Sequence, residues 1–527
     1  MTARLSPLDW LIVASYVAVI AAASLWLSRR RAGDARTFFL AGGAVPPWLA
    51  AISVLATTQS AATFLGGPDY GYRGDFTYLG ANIAALLAAF VVARVFMPRF
   101  YAQGVTTVYE LLGRRFGAGA MRAAGAMFLV GRVLAGGARL YLAAVAVSML
   151  LFMTVSAGGV LTAAALLVTV AFAFSVRGGL HSIVWIDLIQ FAVYAGAALA
   201  MLLFLRALIP LPLGRILQGL AVTPEGHDKL RLFNLSLDPS QPFALPAIVC
   251  GLTLLNIGSF GLDQDVTQRL LACKDARAGA RGLYISVLVA VPVVAVFIAI
   301  GSLLYVVYRR PDMMGPAGQA IGAAAPGGDI TIFMRFILTR APSGLRGLAT
   351  VGVIATCVGT TMSALNAMAS VLVQDFYRPW RAGEALRRPE HHYVRAGRIG
   401  MAVMGLATLA MAVFSFYWRQ YSDTPLLEFV LSVMNFAYAG LLGVYFTAVF
   451  TRRGSTASVI AALAVGFGVI LLLQPYVADH MGLPGVLRRL AFPWQLCLGS
   501  AAAFVTCMMG RTTEASADQS LGRGGVG

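Results

Sequence analysis

The stretch Ile52-Ser-Val-Leu-Ala-Thr-Thr-Gln-Ser-Ala-Ala-Thr-Phe-Leu-Gly-Gly-Pro-Asp-Tyr-Gly-Tyr72 decides how the rest of the chain is read. It opens as an apolar helix, then places Thr57, Thr58, Gln59 and Ser60 together, with Gly66, Gly67 and Pro68 just beyond. Polar side chains at bilayer depth are costly unless they face a cavity or a partner. A helix interrupted there frees backbone carbonyls, and such carbonyls can hold a cation. The pattern predicts the broken helix of an ion-coupled transporter.

Composition agrees. Hydrophobic residues make up 59% of the chain and charged residues 12%, about half the charged share of a soluble domain. Mean hydropathy is +0.78, so the lipid bilayer is the expected solvent. The net charge of +18 comes from arginines between apolar spans, where they set topology. No basic run is interleaved with base-stacking aromatics, which argues against a nucleic-acid partner. The five cysteines form no CxxC pair, which argues against a metal site or a disulfide framework. No GxxxxGK[ST] motif supplies an ATP-driven motor, and no nucleophile–base–acid set points to an enzyme.

A span needs about 20 apolar residues. Thirteen are predicted, numbered from zero: about 8–28, 47–67, 76–97, 120–152, 158–176, 181–208, 243–262, 283–308, 345–376, 394–417, 426–450, 457–473 and 494–509. The all-α chain divides into a peripheral span with its inner loop (1–43), a first five-span unit (44–208), an outer loop (209–242), a second five-span unit (243–451), two peripheral spans (452–510) and a polar, disordered tail (511–527). The distribution of arginines favours an N-terminus outside and a C-terminus in the cytoplasm. Glu110 with Arg114 and Arg115 reads as a salt-bridged helix in an inner loop.

Spans 1 and 6 have polar, Gly-rich centres, the latter through Asn256-Ile-Gly-Ser259. They lie five spans apart and would run in opposite directions. Interrupted helices at corresponding positions of two halves point to the binding site of a transporter built from inverted repeats. The alternative is that the glycines only allow close helix packing.

Several motifs in order resemble the sodium/solute symporter family over about residues 8–475. They are Phe38-Phe-Leu-Ala-Gly42, Val105-Thr-Thr-Val-Tyr-Glu-Leu-Leu-Gly-Arg-Arg-Phe116, Arg177-Gly-Gly-Leu-His-Ser-Ile-Val-Trp-Ile-Asp-Leu-Ile-Gln190, Gly261-Leu-Asp-Gln-Asp-Val-Thr-Gln-Arg269 and Ser363-Ala-Leu-Asn-Ala-Met-Ala-Ser370, running on to Asp375-Phe-Tyr377. The resemblance implies sodium as the coupling ion, a plasma-membrane location and uptake of a small polar solute by alternating access. It also implies a sodium site between spans 1 and 8, at Ala56, Gln59, Thr356, Gly359 and Thr360. Gly359 stands where the family usually has a serine hydroxyl. Asp187 matches an aspartate on the sodium exit path, with a pair to Arg132 or Arg139 as the other reading.

The resemblance further suggests a solute pocket at Thr63, Asn82, Asn256 and Ser259, joined by Thr58 and Ser60 of the polar cluster. Arg139 in mid-span 3 suits a carboxylate bidentately, as in the sialic-acid branch. A pair with Asp187, or snorkelling to an interface, is the alternative. The expected function is sodium-coupled symport of a carboxylate-bearing solute or a sugar. A solute-sensing receptor of the same fold, acting with a separate signalling partner, is the second reading.

Overall fold

The computed structural model describes residues 5–29, 34–315, 331–381, 389–418 and 426–510. The expectation for the tail from 511 lies outside them, as do residues 316–330 and 382–388 of the connections expected after spans 7 and 8. Among the described residues, ten helices are long and apolar enough to cross a membrane, or eleven if Ala35–Gly43 and Pro47–Thr58, bent by 117°, count as one span. Two further apolar helices, Thr456–Leu472 and Phe492–Met508, are shorter.

The elements used below are α1 (Pro7–Leu27), α2 (Ala35–Leu40), α3 (Pro47–Thr58), α4 (Ala61–Arg73), α5 (Thr77–Gln103), α6 (Glu110–Phe116), α7 (Ala118–Phe152), α8 (Ala157–Ser175) and α9 (Gly179–Leu208). After the loop at 209–242 come α10 (Leu245–Leu262), α11 (Gln264–Leu271), α12 (Ala276–Arg309), α13 (Ile332–Thr339), α14 (Leu345–Trp380), α15 (Glu390–Trp418) and α16 (Leu426–Phe450).

Burial sorts these helices. Only 22% of the apolar window of α1 is buried, against 89% for α14 and 83% for α16. The helix α1 therefore sits at the lipid-facing edge and α14 at the centre. It is still anchored: Asp9 closes a capping box with Ser6, and its Oδ1 accepts from the Gly344 and Gly347 amides at 2.8 Å each. One carboxylate thus serves the N-termini of two helices, where unpaired N–H groups point outward.

The break between α3 and α4 lies within the polar cluster. Thr57 and Thr58 turn their hydroxyls back to the carbonyls of Ser53 (2.7 Å) and Leu55 (3.1 Å), competing with the helix ladder. Gln59 is extended (φ −82°, ψ 127°), and the Ser60 hydroxyl caps α4 by accepting from the Ala62 amide. Gly66, Gly67 and Pro68 lie within α4, which continues to Arg73. Their role is packing. A Cβ on Gly67 would sit 3.0 Å from Phe297 Cβ, and one on Gly71 would strike the Ile298 carbonyl of α12. Both halves of the broken helix lie along α12.

The second interruption also lies further on than its polar centre suggests. Asn256 sits in a helical turn between two π-helical segments, Ile248–Leu252 and Gly258–Leu262. The helix ends at Asp263, which is extended and caps α11.

Glu110 is corrected too. Its Oε1 accepts from the Thr106 and Thr107 amides at 3.1 and 3.2 Å, so it caps the start of α6. Arg115 donates to the Ala448 and Thr451 carbonyls at the end of α16.

Candidate functional site

The break at Gln59 leaves a helix end without its next donors. The last main-chain donor of α3 is the Gln59 amide, 2.9 Å from Leu55 O. Among the described residues, the carbonyls beyond it, at Ala56 to Gln59, accept no main-chain hydrogen bond, as expected for the last turn of a helix. Two cavities open on this break.

The larger cavity holds about 160 Å³. Thr58, Ser60, Thr63, Asn82, Arg139, Asn256 and Ser259 all line it, so every solute-contact residue expected from the sequence meets in one place. Tyr78, Phe243, Phe260 and Met434 add apolar and aromatic wall. Asn82 and Asn256 donate their amide N–H groups to Leu79 O (2.9 Å) and Leu252 O (2.8 Å) of their own helices. Their amide oxygens accept no hydrogen bond among the described residues and keep acceptor capacity.

Arg139 lines this cavity with no carboxylate in salt-bridge range among the described residues. Its Nη2 lies 3.3 Å from the Met434 sulfur, a weak acceptor, and its Nε is buried without a partner. The expected alternatives, a pair with Asp187 or an interfacial position, do not hold. Arg132 also lines the cavity, but its two Nη groups pair with Asp263 (3.1 Å) and Asp265, leaving only its Nε without a partner among the described residues.

The smaller cavity, of about 10 Å³, is lined by Ala56, Gln59, Thr356 and Gly359, together with Gln190 and Tyr194 of α9. Its size is close to the room one water requires. Gln59 borders both cavities, and its Oε1 accepts from the Tyr194 hydroxyl at 3.4 Å. Thr356 and Thr360 are buried on α14. Thr360 Oγ1 donates to the carbonyls of Thr356 (2.9 Å) and Cys357 (3.1 Å). Thr360 is one turn along α14 and does not line this cavity.

Asp187 is fully buried and pairs with Arg269 at 3.5 Å, so the expectation of Arg132 or Arg139 as partner is overturned. Ser53 donates to Asp187 at 2.5 Å. Arg269 also reaches Asp265 at 3.0 Å and donates to Ser363. The whole cluster is Arg132, Arg269, Asp187, Asp263 and Asp265, two positive charges against three negative ones.

Sequence reasoning missed Arg269 and Gln190. Arg269 closed a quoted motif but carried no spacing signal toward Asp187, which lies 82 positions away. Gln190 had a weak signal: it follows Asp187 by three residues, on the same helix face.

The family model "Sodium:solute symporter family" matches residues 38–466. The chain belongs to the sodium:solute symporter family. Its members are transporters, not enzymes, and the chain is a multi-pass membrane protein that couples solute symport to sodium. A sodium/sialic acid symporter of Proteus mirabilis is 25% identical over 90% of each chain. A sodium/glucose cotransporter of Vibrio parahaemolyticus is 24% identical over 90% of this chain and 87% of its own. A human sodium-coupled monocarboxylate transporter is 27% identical over 67% of this chain and 54% of its own. A solved structure described as the substrate-bound outward-open state of a Na+-coupled sialic acid symporter superposes with a TM-score of 0.76, covering 96% of this chain and 97% of that chain at 21% identity. That likeness is one of fold.

Proposed function

We propose that this symporter imports a small polar solute bearing a carboxylate, held by Arg139 in the central cavity. The observation that carries the reading is a half-buried arginine, its Nε wholly buried, that faces that cavity with no carboxylate partner among the described residues. A carboxylate on the solute would supply the charge-assisted, two-pronged partner that arginine geometry favours. Thr63, Ser259 and the amide oxygens of Asn82 and Asn256 would meet the solute's hydroxyl or amide groups. Relatives named for sialic acid and for monocarboxylates also carry acids, which supports the same chemistry.

Sodium would sit at the smaller cavity, on carbonyl oxygens of Ala56 and Gln59 and the hydroxyl of Thr356, and Thr360, one turn along α14, would join them by turning its hydroxyl away from the Thr356 and Cys357 carbonyls. Gln59, bordering both cavities, would couple the ion to the solute. The net negative cluster around Asp187 would offer the ion its next resting place on the way in, because one carboxylate charge is left uncompensated. Thirteen spans, two inverted five-span units at 44–208 and 243–451, peripheral helices at both ends and an N-out, C-in orientation complete the proposal. In that orientation the Asp187–Arg269 cluster lies on the inner side of the break and closes the cytoplasmic exit while the solute binds.

The test is uptake in proteoliposomes under inward sodium, potassium or proton gradients, using acids and their neutral amides. Sodium-driven accumulation of an acid, lost roughly 10–100-fold in Arg139→Gln, is expected from the strength of charge-assisted hydrogen bonds. Transport of the neutral amide in preference, indifferent to Arg139→Gln, would overturn the carboxylate reading. Saturable binding without flux would mark a receptor instead.

A further inference from the structure

Where α14 ends, α7 and α15 begin, so three helix termini meet at one face of the bundle. Both α7 and α15 approach α14 through a glycine. A Cβ on Gly125 of α7 would lie 3.2 Å from Val371 and 3.3 Å from Phe376, and one on Gly400 of α15 would lie 3.5 Å from Leu372. Toward the termini from these contacts lies a groove of about 940 Å³. Its floor is apolar, with Leu372, Val373, Phe376 and Ile399. Two exposed arginines, Arg122 of α7 and Arg395 of α15, also line it, each nearer the start of its helix than the glycine. Among the described residues no carboxylate lines this groove. The one acidic residue of α15, Glu390, is held by Arg378 at 2.6 Å and accepts from the Ala35 amide at 3.3 Å. Trp380, another lining residue, is 74% exposed, which suits an aromatic at headgroup level.

We propose that this groove binds an anionic phospholipid, with the phosphate between Arg122 and Arg395 and an acyl chain along the apolar floor. An apolar floor alone would suit any acyl chain, and an exposed arginine alone would suit water. Together they select an amphiphile with a negative head. Two guanidinium groups without facing carboxylates stand over an apolar trough at the end of three membrane helices. Basic pockets between membrane helices hold such headgroups, and the planar guanidinium matches phosphate oxygens with two parallel hydrogen bonds. The bound lipid touches α7, α14 and α15 at once and so braces their ends. The site is independent of the ion and solute assignments. In the proposed orientation it faces the inner leaflet.

The experiment uses the full chain in a neutral detergent. Phosphatidylglycerol, phosphatidylcholine with the same acyl chains, or glycerol 3-phosphate alone is titrated in, and Tm is read. Phosphatidylglycerol is expected to raise Tm, with a half-saturating mole fraction about fivefold or more below that of phosphatidylcholine. Arg122→Gln and Arg395→Gln are each expected to raise that mole fraction about fivefold, and the two together roughly tenfold or more. Arg398→Gln removes the same charge from an exposed position of α15 that does not line the groove. It is expected to leave the mole fraction nearly unchanged. Ile399→Trp fills the floor while keeping both arginines, and is expected to weaken the response to the lipid.

Equal losses in Arg398→Gln and Arg395→Gln would overturn the site, leaving only general attraction between a basic face and anionic lipid. Equal half-saturation by the two phospholipids would overturn the selection for negative charge. A shift from glycerol 3-phosphate as large as that from the lipid would overturn the lipid as occupant in favour of a soluble phosphate ester. An unaltered response in Ile399→Trp would overturn the place given to the acyl chain. If the double arginine variant does not fold, the two single variants decide.

Discussion

Arg269 Nη2 lies 3.5 Å from Asp187 Oδ2, with both side chains wholly shielded from solvent. Arg269 lies in the last turn of α11, the short helix after the second interruption, and Asp187 in the first half of α9, so the pair ties two separate parts of the chain. Removing one partner of a buried ion pair leaves the other charge uncompensated, at a cost of about 3–5 kcal/mol. Arg269→Met would strand Asp187, while Asp265 would keep only Arg132, and is expected to lower Tm sharply. Asp187→Asn keeps the Ser53 contact and leaves Arg269 its Asp265 partner, so its loss is expected to be smaller. Equal Tm values for Arg269→Met and wild type would refute the importance of the pair.

Thr360→Ala tests the threonine ladder on α14. The hydroxyl now bonds the Thr356 and Cys357 carbonyls, so its removal is tolerable for the helix. Loss of one oxygen ligand, at about 1–2 kcal/mol, corresponds to a roughly tenfold rise in the sodium needed for half-maximal uptake. An unaltered sodium curve would place the ion elsewhere.

Gly71→Ala addresses the seam between α4 and α12. The added methyl would meet the Ile298 carbonyl, which is backbone and cannot rotate away. Overpacking of this kind costs about 1–3 kcal/mol. A fall in Tm is expected in sodium-free buffer as well as in sodium, since the defect is in packing. Thermal melts in both buffers check it.

Lys229, in the loop at 209–242, is expected to give the protein a pH-dependent element. It donates to the Tyr72 carbonyl at 2.9 Å and the Gly74 carbonyl at 2.5 Å, with the ammonium 4.4 Å from the Tyr305 ring centroid. Burial lowers its pKa from 10.5 to about 8, partly opposed by Asp75 and Glu225. Between those values the unfolded chain holds the proton and the folded one has released it. Stability from this group therefore rises with pH from about 8 to 10.5. The Tm of wild type relative to Lys229→Met should climb across that window and stay flat below it. A difference that falls with pH would reverse the assignment.

The broken first helix was legible because a Thr-Thr-Gln-Ser cluster inside an apolar span has few stable outcomes. Its hydroxyls compete for the ladder and Ser60 is a ready cap. The misleading signal was Gly66-Gly67-Pro68, which resembles a breaker but serves a close helix contact. A glycine's purpose depends on what packs against it, and that partner, α12, lies more than 200 residues away in sequence. The lining of the larger cavity was legible residue by residue, through the family resemblance at Thr63, Asn82, Asn256 and Ser259 and through the polar cluster at Thr58 and Ser60. The partner of Asp187 was not, because pairing in a bundle is set by helix rotation and register rather than by spacing along the chain.

The sequence by itself determined that this is a polytopic membrane transporter and that its first core helix is interrupted near Gln59. Both follow from the cost of polar groups in lipid, which acts locally. Tertiary structure alone decided that Arg139 has no carboxylate in salt-bridge range among the described residues, that Arg269 holds Asp187, and that a glutamine from α9 lies beside Gly359. Those are outcomes of which helix faces which, fixed by the packing of distant segments.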